Sequence, residues 1–520
     1  MSLFPNRFLA PLACGALAMS LCGTCSAQLW RLQVWAGYGG NCQHTAMSQI
    51  GASPMTRVLW STPVDTDPQY SGSELLIHYA PPMVTYSGVV LVTVKTGAAG
   101  GFQVEGHNVL TGGLMYTQTT DYVLPASSWT PTCGSSLVGL NGMVTPGIGG
   151  TIYYREQTDM ANSPVQQWAF YGLSNYTANK SAYNANVFIC TPLTVDYAGN
   201  VYFGFRVNGN SGTNLTSGIA KVTPSGVGTW ISATAAAGDP SITVPAMNCA
   251  PALSNDQTTV YIGVSSGDFT GGYLVGIDAA TMTAKYAVKL IDPRSGSQAS
   301  LPDSSTATPM VGSDGDVYYG VFESPFYNDR GWMLHYDQTL RQTKIPGSFG
   351  WDNTASVVPA QCVPSYKGAS TYLILTKYNN YAGYGPMGTG VNKVAILDPN
   401  GATPDPINGT SPTTGQPVGA MTPVLTVTGV TPDPGAVAAG FPKAVHEWCI
   451  NTAAIDVKGR SAILNSEDGR TYRWNFVTNT LQQTQVLSAG LGEAYTSTAI
   501  GKFGVTFAIN NARLFAIGRP

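Results

Sequence analysis

The chain has 520 residues, and only 10% of them are charged, against about 25% in an ordinary soluble domain. Its 60 Gly and 34 Pro fall short of a low-complexity composition, and its 43% hydrophobic share supplies a core, so disorder, coiled coil and helical repeat are excluded. A net charge of −3 without a basic stripe leaves no electrostatic footprint for nucleic acid, and none is expected as a partner.

In chain order, the first element reads as a secretory signal over 1–27. Arg7 supplies its positive region, Phe8 to Leu21 its short apolar run, and Cys25-Ser26-Ala27 the small residues before cleavage at Gln28. That run is too short to cross a bilayer, and no later stretch reaches about 18 uninterrupted apolar residues, so no membrane span is expected. The reading is export to the periplasm or beyond the cell. Export favours disulfides among Cys42, Cys133, Cys190, Cys249, Cys362 and Cys449, with the pairing left open.

Residues 28–520 read as one domain built on a repeat. Thr191-Pro192, Ala250-Pro251 and Thr308-Pro309 recur at roughly 60-residue intervals, a spacing that marks repeat architectures. Each is followed by an Asp-bearing turn and then by Val201-Tyr202-Phe203-Gly204, Val260-Tyr261-Ile262-Gly263 or Val317-Tyr318-Tyr319-Gly320. Weaker copies start at Ala80, Thr145, Ser356, Thr452 and Thr498. A third strand follows, as in Tyr273 to Asp278 or Thr471 to Trp474, and then a fourth, more variable one. Four antiparallel strands per copy, stacked radially, make an all-β propeller of eight blades, with seven as the alternative. After Ala494 there is room for only three strands, whereas Arg57 to Val64 is a strand with no three partners before it. The N-terminal strand is therefore expected to be the outermost strand of the last blade, from Leu59 to Val64, closing the ring. A Pro-, Gly- and Thr-rich insertion is read at about 399–442.

Gly40 to Thr45 with Leu59-Trp60-Ser61-Thr62-Pro63-Val64, and the repeated Asp-Gly-x-Val-Tyr and Leu-x-x-Ile-Asp-x-x-Thr phrases, resemble pyrroloquinoline-quinone-like β-propellers. The quinoprotein alcohol dehydrogenases of that family dock neighbouring blades with a Trp after an Asp-x-x-Thr-Gly turn. Here Asp278-Ala279-Ala280-Thr281-Met282 lacks the Gly, and Tyr286 stands where a Trp would. No adjacent cysteine pair occurs either. No cofactor is therefore expected; Ca²⁺ and pyrroloquinoline quinone are those the resemblance would bring.

Three local motifs read as turns. Gly263-Val264-Ser265-Ser266-Gly267 ends a strand without the helix a nucleophile elbow needs. Gly383 to Gly388 lacks a following helix for a phosphate, and Glu467-Asp468-Gly469 lies between two β-runs. None of the five His forms a ligand pair at close spacing, so no metal site is expected.

In a propeller the connections from one blade's outer strand to the next blade's inner strand gather at one mouth of the channel. On these lie Glu447, Glu493 and Asp352, the candidate acids for catalysis. Candidate ligand-binding residues on the same connections are Trp351, Asn353, His446, Trp448, Asn451, Tyr495, Asn248 and Asp303. Acids with aromatic and amide groups at one mouth suit a small molecule, a glycan or a partner protein. The function taken is ligand or partner binding at this funnel without quinone chemistry. The alternatives are a carbohydrate-active hydrolase or lyase using funnel carboxylates and a quinone-dependent dehydrogenase. The fold hosts all of these, so whether the chain is an enzyme stays open.

Overall fold

A computed structural model describes residues 34–71, 74–75, 78–98, 100–123, 134–209, 212–405, 407–489 and 496–519. The signal reading, Cys133, Glu493 and Tyr495 lie outside the described residues.

The β-branched and aromatic runs pair into an eight-bladed propeller of antiparallel sheets. Blade 1 joins Met83–Val84, Val89–Gly97, Gly100–Asn108 and Leu114–Thr120, and blade 2 joins Ser136–Val138, Gly142–Pro146, Thr151–Arg155 and Val165–Ala169. Blade 3 is built round Val201–Val207 and blade 4 round Thr259–Ser265. Blade 5 has Met310–Val311, Val317–Val321 and Trp332–Tyr336, and bridges from Met333 to Gly347 and Tyr336 to Thr343 take the place of its outer strand. Blade 6 runs from Ser356–Pro359 to Gly419–Thr428, and blade 7 from Ala454–Asp456 to Thr480–Val486.

The second strand of a blade packs on neighbours at both faces and is buried throughout, as Thr259–Ser265 and Ser461–Asn465 are. The outer strand alternates exposed and half-buried residues, as in Thr480–Val486. These two patterns are why the sequence shows continuous apolar runs inside and polar alternation outside.

Ring closure follows the sequence expectation. Blade 8 contains Ala499–Ile500, Thr506–Asn510 and Arg513–Gly518, and Arg57–Pro63 pairs antiparallel with the last of these, from Arg57 opposite Gly518 to Pro63 opposite Arg513. An early strand and the last strands of the chain thus share one sheet, and the sheet edge that either would leave alone is covered.

The segment before that strand fills the channel. Residues 35–46 wind round the axis and hydrogen-bond through their backbone to six innermost strands or the turns leading into them. Trp35 pairs with Val84, Ala36 O accepts from Leu137, Cys42 O from Leu253, Gln43 O from Val311, Thr45 O from Val357 and Ala46 O from Ile455. Met47–Ser48 then adds in parallel to Ala454–Asp456. So tight a path uses left-handed backbone at Gly39, Gly40, His44 and Ala46. At Gly39 a Cβ would stand 2.6 Å from His44 Cα, so only glycine fits.

Three sequence expectations need correction or refinement. Thr145-Pro146 does not open a blade: it ends the second strand of blade 2, whose first strand is Ser136–Val138 and lacks the Pro. No disulfide joins any two of the five described cysteines, which are each buried. Burial pushes the Cys190 and Cys249 thiols up to about 12 and about 11, which keeps them protonated and unreactive. Finally, much of the segment read as an insertion belongs to blade 6, because Lys393–Pro404 and Gly419–Thr428 form its outer hairpin, followed by a helical turn at Pro434–Ala438.

Candidate functional site

The predicted funnel residues sit where ring closure puts them, and several converge. Asp352, on the connection from blade 5 to blade 6, is buried with left-handed backbone. Its Oδ1 accepts from Thr306 N at 2.7 Å and from Thr306 Oγ1 at 2.6 Å. Asn451, about a hundred residues later, donates through Nδ2 to Thr306 O at 3.2 Å and to Thr306 Oγ1. Tyr38 of the channel segment joins both connections: its hydroxyl donates to Asn451 Oδ1 and lies 2.8 Å from Thr306 O. Burial pushes the Tyr38 phenol far up, so it stays a donor. Asp352 and Asn451 are thereby brought together, by a tyrosine that no repeat phrase points to.

A second pair also meets. Asn248 donates to Asp303 O at 3.1 Å, and the Asp303 carboxylate takes both arms of Arg206, at 2.6 and 2.7 Å. Arg206 follows the buried run of blade 3, and its position on that strand is the only sequence signal it carries.

Other candidates are held apart from these. Asn353 donates to Thr376 Oγ1 at 2.7 Å inside the protein. Trp448 is buried between blades 6 and 7, edge-on to Tyr472 at 5.4 Å, and belongs to the core. His446 turns to Glu467, 2.9 Å away, and its ring pKa is raised first by that hydrogen bond. Glu447 is half-buried, and its backbone accepts from Ser466 Oγ at 2.9 Å. Burial raises Tyr381 far above a free phenol, with the negative charges of Glu447 and Asp352 adding to it, so both acids act on one ring.

Trp351 marks the feature the sequence reading missed. Its ring lies 4.7 Å from Phe322, which meets Phe326 at 5.1 Å and Phe269 at 6.3 Å, all edge-on. Phe269 and Phe326 are 45% and 65% exposed. They stand on the hairpins after the second strands of blades 4 and 5, loops that share the mouth with the Trp351 connection. Exposed phenylalanines in turns carried no periodic signal, which is why they escaped notice.

The motifs read as turns are turns. Gly263 to Gly267 joins Thr259–Ser265 to Thr270–Asp278, and Glu467 to Gly469 joins Ser461–Asn465 to Arg470–Asn475. Among the described residues no group of three or more His, Cys, Asp or Glu could hold a metal ion.

No family model matches the chain, and no curated protein matches it. Solved propellers do. BamB from Moraxella catarrhalis is 11% identical over 89% of this chain and 97% of its own, with a TM-score of 0.45. A quinohemoprotein alcohol dehydrogenase from Pseudomonas putida HK5 is 11% identical over 95% of this chain and 77% of its own, with a TM-score of 0.48. A europium-containing methanol dehydrogenase is 11% identical over 92% and 90%, with a TM-score of 0.41. The likeness is one of fold.

The described part of the channel axis is a poor match for pyrroloquinoline quinone, the cofactor the resemblance would bring. Pyrroloquinoline quinone is a polycarboxylate, which needs cations around it. The axial space is instead filled by residues 35–46, and among the described residues no charged side chain lines the cavity left beside them. At the other mouth Arg206 is engaged in both arms by Asp303, while Arg330 and Lys377 are further buried cations. Among the described residues no helix is long and apolar enough to cross a membrane.

Proposed function

We propose that this chain is a recognition propeller that binds a ligand or partner at the mouth carrying Trp351, Phe269 and Phe326, without quinone chemistry. The observation that carries the reading is the aromatic platform, with two phenylalanines exposed beside a half-buried tryptophan. Aromatic faces held by rigid strands and left open to water supply contact area at low entropic cost. The acids behind them stiffen the mouth. Asp352 is bound to Thr306 and Asp303 to Arg206, so each spends its charge on holding neighbouring connections in place. That occupation speaks against Asp352 and Asp303 as the free carboxyl that the hydrolase or lyase reading asks for, to give or take a proton.

The test is a thermal-shift screen of the mature protein over glycans, metals and aromatic-binding peptides, repeated with Trp351→Ala and Phe326→Ala. The reading expects a wild-type shift that both variants lose while their own melting points stay within a few degrees. Variants that melt far lower, with no shift of the wild type by any member of the panel, would make the platform structural.

Export is part of the same proposal and rests on residues 1–27. Mass spectrometry of the product recovered from the periplasm or medium should find Gln28 at its N-terminus; an intact Met1 there would refute it.

A further inference from the structure

The connection from blade 2 to blade 3 carries two short helices, Leu173–Ala178 and Lys180–Asn186. Residues of both helices and of the outer strand of blade 3, Gly228–Ser232, line an open cleft of about 1000 Å³. That is the upper end of the roughly 300–1,000 Å³ of small-molecule sites. At Gly228 a Cβ would stand 2.0 Å from Phe170 O, so only glycine lets the two blades meet along the cleft.

The lining is aromatic and polar but uncharged. A row of rings runs through it: Trp230 lies edge-on to Phe205 at 5.8 Å, Phe205 meets Phe170 at 4.3 Å, and Phe170 meets Tyr171 at 4.8 Å. Tyr171 stacks on Tyr183 at 4.0 Å with the planes 4° apart, and its hydroxyl donates to Gly149 O at 2.5 Å. Trp230 and Tyr171 are the half-buried members of this row, and both line the cleft. Their positions are thus set by packing before any ligand arrives. Beside them stand polar groups open to solvent. Asn175 is exposed and gives its Nδ2 to Tyr171 O at 2.7 Å, which leaves its Oδ1 as an acceptor. Asn179 and Thr229 are exposed as well, and among the described residues neither side chain has a hydrogen-bond partner. None of the described lining residues is Asp, Glu, Lys, Arg or His.

We propose that this cleft binds a neutral oligosaccharide, with pyranose C–H faces on Trp230 and Tyr171 and hydroxyls on the amides of Asn175 and Asn179. A pyranose joins an apolar face to a girdle of hydroxyls, as the cleft joins fixed rings to exposed amides. An ionised chain would lose water here without meeting a counter-charge. The site shares no residue with the platform of Trp351, Phe269 and Phe326 and does not depend on it.

The test uses cellotetraose, a neutral chain of all-equatorial pyranoses, and tetragalacturonate, an equally long chain with a carboxylate on every ring. Calorimetric titration of the protein should show saturable binding of cellotetraose, with tetragalacturonate at least about tenfold weaker. Ala178→Trp, at an exposed helix position on the cleft wall, should abolish cellotetraose binding by filling the space. Trp230→Ala should weaken it at least about tenfold, whereas Trp230→Phe, which keeps a ring, should stay within about fivefold. If Trp230→Ala does not fold, the two sugars on the wild type and Ala178→Trp still decide. Absence of saturable cellotetraose binding, equal affinity for tetragalacturonate, or undiminished binding in Ala178→Trp or Trp230→Ala would overturn the site.

Discussion

At the scale of single residues, the repeat phrase Val-Tyr-x-Gly turns out to be a seam between blades. Tyr202 donates to Asp196 Oδ2 within its blade at 3.0 Å and lies 3.3 Å from Ala279 O in the next. Tyr261 donates to Gln338 O of blade 5 at 2.6 Å, and Tyr318 meets the hydroxyl of Tyr372 of blade 6 at 2.6 Å. The glycine two positions on keeps the next blade close: a Cβ on Gly263 would stand 2.3 Å from the Tyr319 hydroxyl. These tyrosines tie neighbouring blades together, and the Asp278 turn places Met282 at φ 55° without a glycine there. Tryptophans serve at seams too: Trp60 of blade 8 donates to Val109 O at 3.0 Å and packs on Gly112 of blade 1, and Trp168 of blade 2 packs on Gly226 of blade 3. Tyr261→Phe should therefore cost about 1–2 kcal/mol in chemical denaturation, by leaving Gln338 O unmet. Gly263→Val should cost more, because a β-branched side chain has no room there. Loss of less than a few tenths of a kcal/mol in Tyr261→Phe would deny the seam its role.

His44 gives a residue-scale prediction in pH. Its folded pKa, about 4, lies below the ordinary 6.5, so the unfolded chain binds the proton more readily. Stability should then be full above about pH 6.5 and fall as pH drops towards about 4, by about 3 kcal/mol for this group. His78 is shifted in the same direction by burial and adds to the slope. Urea midpoints of wild type and His44→Asn between pH 4 and 7 check this; parallel curves would refute it.

At the scale of elements, two N-terminal pieces do different work. Arg57–Pro63 closes blade 8, while residues 35–46 tie the inner strands together round the axis. Deleting 28–64 should remove both and lower the melting temperature sharply, with exposure of hydrophobic surface to dyes. A smaller change, Trp60→Ala, should weaken only the seam between blades 8 and 1, by about 2 kcal/mol for a half-buried tryptophan that also loses its hydrogen bond. A truncated chain that melts like the full one, with unchanged far-UV dichroism, would show that the ring closes without them.

At the scale of the whole molecule, the five described thiols are dispersed through the ring and buried. In the native protein Cys42, Cys190, Cys249 and Cys362 should resist Ellman's reagent and become reactive on unfolding, without prior reduction. Native-state labelling at Cys190 or Cys249, or a reduction-dependent gain of thiols at any of these four, would contradict the structure.

The amino-acid sequence by itself determined the four-strand blades and the closing N-terminal strand, and it pointed to eight blades while leaving seven open. Those properties are local: strand periodicity, Asp-bearing turns and a repeated phrase are written within about 60 residues, and ring closure needs only a strand left over at each end. The displaced Thr145 copy shows the limit of that reading, since a Thr-Pro step means nothing until its strand has a partner. Tertiary structure alone decided the path of residues 35–46, the meeting of Tyr38 with Thr306 and Asn451, and the separation of the cysteines. It also decided that Trp448 is core while Trp351 stands among exposed phenylalanines. Each of these depends on which residues a closed ring brings face to face across hundreds of positions, and no local pattern encodes that distance.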